Sequence, residues 1–539
     1  MGRFSSLMLF FGLICVGPAW AQVNRYFVFF KDKQGTPFSV NQPESFLSQR
    51  SLQRRISQGI TITSEDLPVN PSYIQAIRAT GVATFYASKW WNGILIEAEA
   101  SQIPTVSALG FVSKVELVAP GKKLSSGRTK RIRERNRVSA PQATDVQLQQ
   151  LGIDAMHAQG FTGEGILIGV FDSGFIGVNS SNPGSPFKHL YDNQRITYTF
   201  NFVTNTSHVY ELDDHGTEVF SVLAAQSSSF SGVTPNAQYH LYLTEDDDTE
   251  YRIEEFNWTF AAERADSAGV DVINSSLGYN EFDDESMNYA LSDLTGEKAV
   301  VSIAAGKAIA KGMVVVASAG NEGNFASWRK ITPPSDVDGL IAVGAVNALG
   351  FRSSFSSIGP TADGRIKPDV MAMGSGTAVI KASGSAGTAS GTSVASPLIA
   401  GLAAGVLQAF PDLSAREVYQ LILLSGSQAT SPDDQNGFGI PNFNRIKILE
   451  AQEPAGDEIV LYPNPVSQSS VYIRLADPAE EQIQISVYSQ QGQLLIDESV
   501  VISWRNNPLE YDLSKLAAGT YLVKVKTSRV ERIIRLVRL

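Results

Sequence analysis

Gly391-Thr392-Ser393-Val394-Ala395-Ser396-Pro397 sets a serine among small residues just ahead of an apolar run. That run (Leu398, Ile399, Ala400, Leu402, Ala403, Ala404, Val406, Leu407) reads as a buried helix. A serine at a helix N-terminus has free backbone N–H groups beside it and the positive end of the helix dipole near it. Both favour negative charge developing on an oxygen, as acyl transfer requires. The same pattern also suits a serine that merely caps the helix. Residues upstream must separate the two readings.

A serine nucleophile needs a base, and the base needs an orienting acid. The chain has five histidines: His157, His189, His208, His215 and His240. Only His215 has a suggestive setting, Asp213-Asp214-His215-Gly216-Thr217-Glu218 before the apolar helical positions Val219, Phe220, Val222 and Leu223. The adjacent glycine lets another chain segment approach closely, and the other four histidines read as surface or packing residues. For the acid, the apolar run 165–171 leads into Asp172-Ser173-Gly174, which puts an aspartate at the carboxyl end of a buried strand, or simply in a turn. A further apolar strand, Val314-Val315-Val316-Ala317, leads into Ser318-Ala319-Gly320-Asn321-Glu322-Gly323. Asn321 could donate its amide N–H to an oxyanion or could serve an ordinary turn.

The order Asp172, His215, Ser393 is that of the subtilisin arrangement, and differs from that of chymotrypsin or the α/β-hydrolases. With Ser276-Leu277-Gly278, Gly320-Asn321-Glu322-Gly323, Ala342-Val343-Gly344-Ala345 and Phe355-Ser356-Ser357-Ile358-Gly359-Pro360, residues 141–450 resemble the subtilisin-like serine proteases, or subtilases. The resemblance implies that Ser393 attacks the scissile carbonyl, His215 carries its proton and Asp172 orients His215. It gives the oxyanion to the Asn321 side chain and the Ser393 backbone N–H. It makes Ser276, Leu277 and Gly278 an edge strand for substrate backbone, with Ala319 and Gly320 lining the pocket for the residue before the cut. Glu218 stands where many subtilases have a second histidine, so a changed environment around His215 is expected. No cofactor is required for this chemistry. Structural calcium is compatible with the resemblance, but no residues can be assigned to it.

Away from the site, the strand-like runs 166–171, 270–273, 313–317 and 340–346 alternate with helical stretches. The expected fold is α/β, a mostly parallel sheet with helices on both faces. In front of it, residues 22–120 read as a small α/β unit. Its strands fall near 26–30, 93–98 and 111–118, and a helix over 45–56 has Phe46, Leu47, Leu52 and Ile56 as apolar positions and carries Arg50, Arg54 and Arg55. This unit resembles a subtilase propeptide, an intramolecular inhibitor and folding aid. Residues 121–140 turn basic and lose apolar periodicity, as expected of an exposed processing linker. Residues 457–539 read as a small antiparallel β-sandwich. Tyr462-Pro463-Asn464-Pro465, Ile485-Ser486-Val487-Tyr488, Gly519-Thr520-Tyr521-Leu522-Val523 and the terminal Leu536-Val537-Arg538-Leu539 give it a resemblance to the sorting domain of type IX secretion. A generic β-sandwich binding module is the alternative.

Arg3, an apolar run over 7–16 and Ala19-Trp20-Ala21 read as a signal peptide spanning 1–21. The only cysteine, Cys15, lies inside it, so the mature chain has no disulfide or thiol chemistry. No other segment reads as a membrane helix. Charge is uneven: residues 22–140 carry 17 Lys+Arg against 8 Asp+Glu, and residues 141–450 carry 16 against 35. Opposite signs favour mutual docking, and the acidic body argues against nucleic acid as a partner. Glu245-Asp246-Asp247-Asp248-Thr249-Glu250 reads as a solvated loop, or as a border of the substrate groove that favours basic residues. A calcium site there lacks EF-hand spacing. The expected function is an exported serine endopeptidase, extracellular or at the cell surface, made as an inactive precursor and acting on proteins or peptides. Expected partners are its own propeptide and the type IX machinery. A silent subtilase-fold binding protein and a peptide ligase using the same residues are the alternatives.

Overall fold

The computed structural model describes residues 23–121, 144–451, 459–462, 464–466, 470–475, 481–502 and 508–539. The expected signal peptide and nearly all of the basic linker lie outside them. The chain forms two compact units, one running to Phe443 and one from Asn444 to Leu539.

The first unit begins with β1 (Val23–Phe30), α1 (Gln49–Ser57), α2 (Pro71–Ala79), β2 (Ala83–Ser88), β3 (Gly93–Glu99), α3 (Ile103–Ser107) and β4 (Val112–Ala119). The strands form an antiparallel sheet in the order β2-β3-β1-β4. The sequence pattern showed three of these strands; β2, α2 and α3 were not anticipated. Helix α1 also differs from expectation. Ile56, counted among its apolar positions, is 72% exposed, while Ser51, Arg54 and Arg55 are buried. The helix docks by charge, because its two buried arginines, Arg54 and Arg55, meet Asp266 of a helix described below.

The main body follows with α4 (Asp145–Gln150), α5 (Ile153–Ala158), β5 (Leu167–Asp172), α6 (Lys188–Asp192), β6 (Ile196–Asn201), α7 (His215–Ala224) and a short hairpin, β7 (Gln226–Ser227) and β8 (Phe230–Ser231). Next come β9 (Gln238–Leu243), α8 (Ile253–Ala268), β10 (Val272–Ser275), α9 (Val300–Ala310), β11 (Val314–Ser318), β12 (Ile341–Val346) and β13 (Val370–Met373). The hairpin strands β14 (Thr377–Ile380) and β15 (Ala386–Ala389) precede α10 (Thr392–Ala409) and α11 (Ala415–Leu424). Seven strands run parallel in the order β13-β12-β11-β10-β5-β9-β6. Their inner members β5, β10, β11 and β12 are buried at every residue, which explains their unbroken apolar runs. Helix α10 is long and apolar enough to cross a membrane by composition alone, a point missed in the sequence. It is 78% buried within the fold, as the core helix of this domain.

The N-terminal sheet packs against α8. Phe27 stacks on Phe256, with ring centroids 4.4 Å apart and an interplanar angle of 18°. Phe27, Trp90 and Leu95 share one apolar core with Phe171, Phe256, Trp258 and Phe260. Fully burying such a side chain contributes about 1.5–3 kcal/mol.

In the second unit, β16 (Ile459–Tyr462), β17 (Ser470–Leu475) and β20 (Leu509–Asp512) form one antiparallel sheet. The other contains β18 (Glu481–Ser489), β19 (Leu494–Ile502), β21 (Gly519–Lys526) and β22 (Glu531–Arg538). Alternate residues of both sheets, among them Leu461, Ile473, Ile485, Val523 and Leu536, form the shared core. Asn464 ties down the final strand: its Oδ1 accepts from Val537 N at 2.9 Å and its Nδ2 donates to Arg535 O at 2.6 Å.

Candidate active site

In open α/β sheets, sites form beyond the carboxyl ends of the strands. Four features meet there in this chain. Asp172 is the last residue of β5, His215 the first of α7, Asn321 follows β11, and Ser393 is the second residue of α10. His215 Nδ1 lies 2.7 Å from Asp172 Oδ1, and Ser173 N donates to the same oxygen at 2.9 Å. Asp172 is fully buried and His215 is 7% exposed. Nδ1 must carry the proton in this pair, which leaves Nε2 as the basic nitrogen. His215 Nε2 is buried without a hydrogen-bond partner.

Gly216 makes the pairing sterically feasible. A Cβ at that position would come 2.4 Å from Gly174 O and 2.9 Å from Asp172 Cβ. Only a glycine lets α7 begin this close to the end of β5. Glu218, three residues past His215, faces Lys381, whose Nζ donates to it at 2.8 Å. This ion pair joins α7 to the residue that follows β14.

Ser393 does not cap its helix. The N-cap is Gly391, which has no side chain to bond to the first turn. Asn321 Oδ1 is held by Thr392, through the backbone N at 2.9 Å and the hydroxyl at 3.1 Å. That leaves the Asn321 Nδ2 hydrogens as donors to another group. A Cβ built on Gly391 would lie 2.9 Å from Ser393 Oγ and 3.7 Å from Asn321 Nδ2, so the two atoms flank the same small volume. Gly320 N donates to Thr392 Oγ1 at 3.2 Å, which fixes the loop carrying Ala319 and Gly320 against the start of α10.

Ser276, Leu277 and Gly278 do not form an edge strand. β10 stops at Ser275, and in the sheet it lies between β5 and β11. The three residues continue past the sheet edge without strand pairing. Gly278 packs against Thr332, whose Oγ1 would sit 2.2 Å from a Cβ there. Ser276 Oγ donates to Ser393 O at 2.8 Å, Asn274 Nδ2 donates to Ser276 Oγ at 3.1 Å, and Ser396 Oγ donates to Asn274 Oδ1 at 2.8 Å. Asn274 was not singled out in the sequence, and Thr392 and Ser396 stood there only as small neighbours of Ser393. The signal available was Pro397, which has no N–H to give to Ser393 O four residues back.

The remaining histidines pack or lie at the surface. His157 Nε2 is 2.7 Å from Val233 O, and His240 is buried on β9 with Nδ1 3.0 Å from Tyr242 Oη. The acidic run after β9 is not simply solvated. Glu245 and Glu254 are buried, and both sit at the same sheet edge as Asp172.

Fold and site together define an α/β protein with an aspartate–histidine couple and a helix-borne serine at the carboxyl edge of a parallel sheet. The chain belongs to the subtilase family, whose model matches residues 163–440. A peptidase S8 propeptide domain described for Bacteroidota matches residues 25–158, and a secretion system C-terminal sorting domain matches residues 460–537. Subtilisin NAT of Bacillus subtilis subsp. natto is 32% identical over 274 residues, 50% of this chain and 62% of that protein. Subtilisin of Bacillus pumilus is 32% identical over 274 residues, 50% of this chain and 86% of that protein. Subtilisin DY of Bacillus licheniformis is 32% identical over 297 residues, 53% of this chain and 91% of that protein. The match to Subtilisin NAT thus spans less than two thirds of that relative. The sorting domain implies a secreted or cell-surface protein.

Proposed function

We propose that this chain is the precursor of an exported serine endopeptidase that hydrolyses peptide bonds through an acyl-enzyme. The observation that carries the reading is the Asp172–His215 hydrogen bond at 2.7 Å, with His215 Nε2 left buried and unpartnered. Nε2 would take the proton of Ser393 Oγ as that oxygen attacks the substrate carbonyl. Asp172 would hold Nδ1–H and stabilise the imidazolium. Negative charge on the carbonyl oxygen would fall to the Asn321 Nδ2–H and the Ser393 N–H at the start of α10. The imidazolium would then protonate the leaving amine, and a water deprotonated at Nε2 would release the acyl group.

In this reading Ser276, Leu277 and Gly278 receive substrate backbone, and Ala319 and Gly320 line the pocket before the cut. The N-terminal sheet would inhibit the enzyme until cleavage within the basic stretch 121–140 frees it. A signal peptide over 1–21 would start export, and the C-terminal domain would address the chain to the type IX machinery.

The test is Ser393→Ala in the full chain. It should abolish peptide hydrolysis, labelling by an organophosphonate and removal of the N-terminal segment. Hydrolysis that persists in this variant refutes the reading. A wild type that resists the probe would instead indicate a silent binding protein, and mass analysis that finds joined peptides would indicate a ligase.

A further inference from the structure

We propose that Glu245, Glu250 and Glu254 hold a hard divalent cation, with the size and oxygen preference of calcium, at the sheet edge beside Asp172. The three residues each bring a carboxylate oxygen within 4.8 Å of the other two. Metal–oxygen distances of about 2.3–2.6 Å span such separations. The cluster contains no histidine or cysteine, so its donor chemistry suits a hard ion and not zinc or copper.

The hydrogen bonds that Glu245 and Glu254 accept come from neutral donors. Glu245 is 8% exposed and Glu254 is 2% exposed. Glu254 Oε1 accepts from Asp246 N at 3.0 Å, but its Oε2 is buried with no hydrogen-bond partner. Glu245 Oε1 accepts from Tyr279 Oη at 2.6 Å and from Thr244 Oγ1 at 2.9 Å, both neutral donors. One turn along α8, Asn257 gives its Nδ2 to Thr244 O at 3.1 Å, and its Oδ1 is likewise buried without a partner. Buried carboxylates are stable only when paired, protonated or bound to a metal. Glu245 and Glu254 are two such carboxylates side by side. A bound cation removes that conflict.

The ion would join three segments. Thr244 N donates to Asp172 O at 3.1 Å, which places Glu245 directly after the strand beside β5. Glu254 lies in the first turn of α8. Glu250 is tied to Asp283, its N donating to the Asp283 side-chain Oδ2 at 3.2 Å and its O accepting from Asp283 N at 2.9 Å. With Tyr279 bonded to Glu245, the cluster clamps the loop after β9 to the segment that follows Gly278. This inference does not rest on the proposed protease activity.

The test uses the full-length chain carrying Ser393→Ala, which suppresses self-cleavage, after treatment with a chelator. Tb3+ should give luminescence on tyrosine excitation, because Tyr279 Oη is 2.6 Å from Glu245. Ca2+ should compete with Tb3+ and raise the melting temperature. Glu250→Gln and Glu254→Gln should each weaken Tb3+ binding about tenfold or more. Glu254→Gln should melt above its parent in chelator and below it in Ca2+, since it relieves repulsion but loses a ligand. If Glu254→Gln does not fold, Glu250→Gln at its half-buried position decides the question. Absence of sensitised emission in the parent, or unchanged Tb3+ affinity in the variants, overturns the proposal.

Discussion

The Ser276 hydroxyl donates to the Ser393 carbonyl across 2.8 Å, and so does the work of a helix hydrogen bond that Pro397 cannot make. The carbonyl of the second residue in an α-helix normally receives the N–H four residues on. Here that residue is a proline, and the donor comes from the segment beyond β10. The start of α10 is thereby held in register with the central sheet, a second time by Ser396 Oγ on Asn274 Oδ1 at 2.8 Å. Ser393 and the proposed substrate-binding segment share one hydrogen-bond network.

Ser276→Ala should therefore impair catalysis without deleting any group that takes part in proton transfer. It leaves a carbonyl without its donor, a loss of about 1–3 kcal/mol. If Ser393 shifts in response, kcat/KM falls about tenfold, with the loss mainly in kcat. Steady-state kinetics on a peptide substrate, with thermal unfolding in parallel, check this. An unchanged kcat with only a raised KM would assign Ser276 to substrate binding alone.

Asp172→Asn should leave the fold intact and lower kcat by about four orders of magnitude, because an amide favours the wrong imidazole tautomer. Asn321→Ala should cost about 2.7–4 kcal/mol of transition-state stabilisation. It also removes the acceptor of the Thr392 N–H, so its melting temperature should fall, whereas that of Asp172→Asn should not. Kinetics and melting curves of the two variants distinguish these outcomes.

What could be read from the chain follows from how local each signal is. Asp172, His215, Asn321 and Ser393 each sit where an apolar run meets polar residues. That local pattern marks the end of a buried strand or the start of a buried helix. The strand after it, β10, was legible for the same reason, but its continuation was not. Whether Ser276, Leu277 and Gly278 pair as a strand depends on neighbours far away in the sequence. Arg54 and Arg55 were legible only as charges carried by α1, since nothing nearby announces Asp266. Likewise a run of acidic residues after β9 suggests a loop in water. Only the packing of α8 against that loop buries Glu245 and Glu254.

Asp266 joins α8 to three cations of the N-terminal domain. Its carboxylate receives Arg54 at 2.7 Å, Arg55 at 2.8 Å and Lys89 at 2.8 Å, all from that domain, in a buried setting. Burial alone would raise its pKa, but Lys89, Arg54 and Arg55 together hold it below the ordinary carboxylate value. Asp266→Ala leaves three cations without their shared anion, and breaking one side of a buried pair costs about 3–5 kcal/mol. After cleavage of the linker, inhibition by the N-terminal segment should weaken by roughly two to three orders of magnitude. Inhibition assays with the cleaved parent and variant measure it. Equal inhibition constants would mean that the aromatic contacts around Phe27 and Phe256 suffice.

Acid should loosen the same interface through His240. Burial, followed by the charges of Arg264 and Arg50, lowers its pKa from 6.5 to about 4. Its ring lies 5.3 Å from that of Tyr198, on which the Arg264 guanidinium rests at 4.7 Å. Arg50 belongs to the N-terminal domain and pairs with Asp271 of the main body. Because the folded pKa lies below the unfolded one, the unfolded chain binds more protons between about pH 4 and 6.5. The contribution is fully present above pH 6.5 and is lost as pH falls through that window, up to about 3 kcal/mol. Urea unfolding of the Ser393→Ala precursor at several pH values should show this decline. His240→Gln, which keeps a polar side chain but cannot take up the proton, should flatten it. Parallel pH curves for the two proteins would show that His240 is not the group responsible.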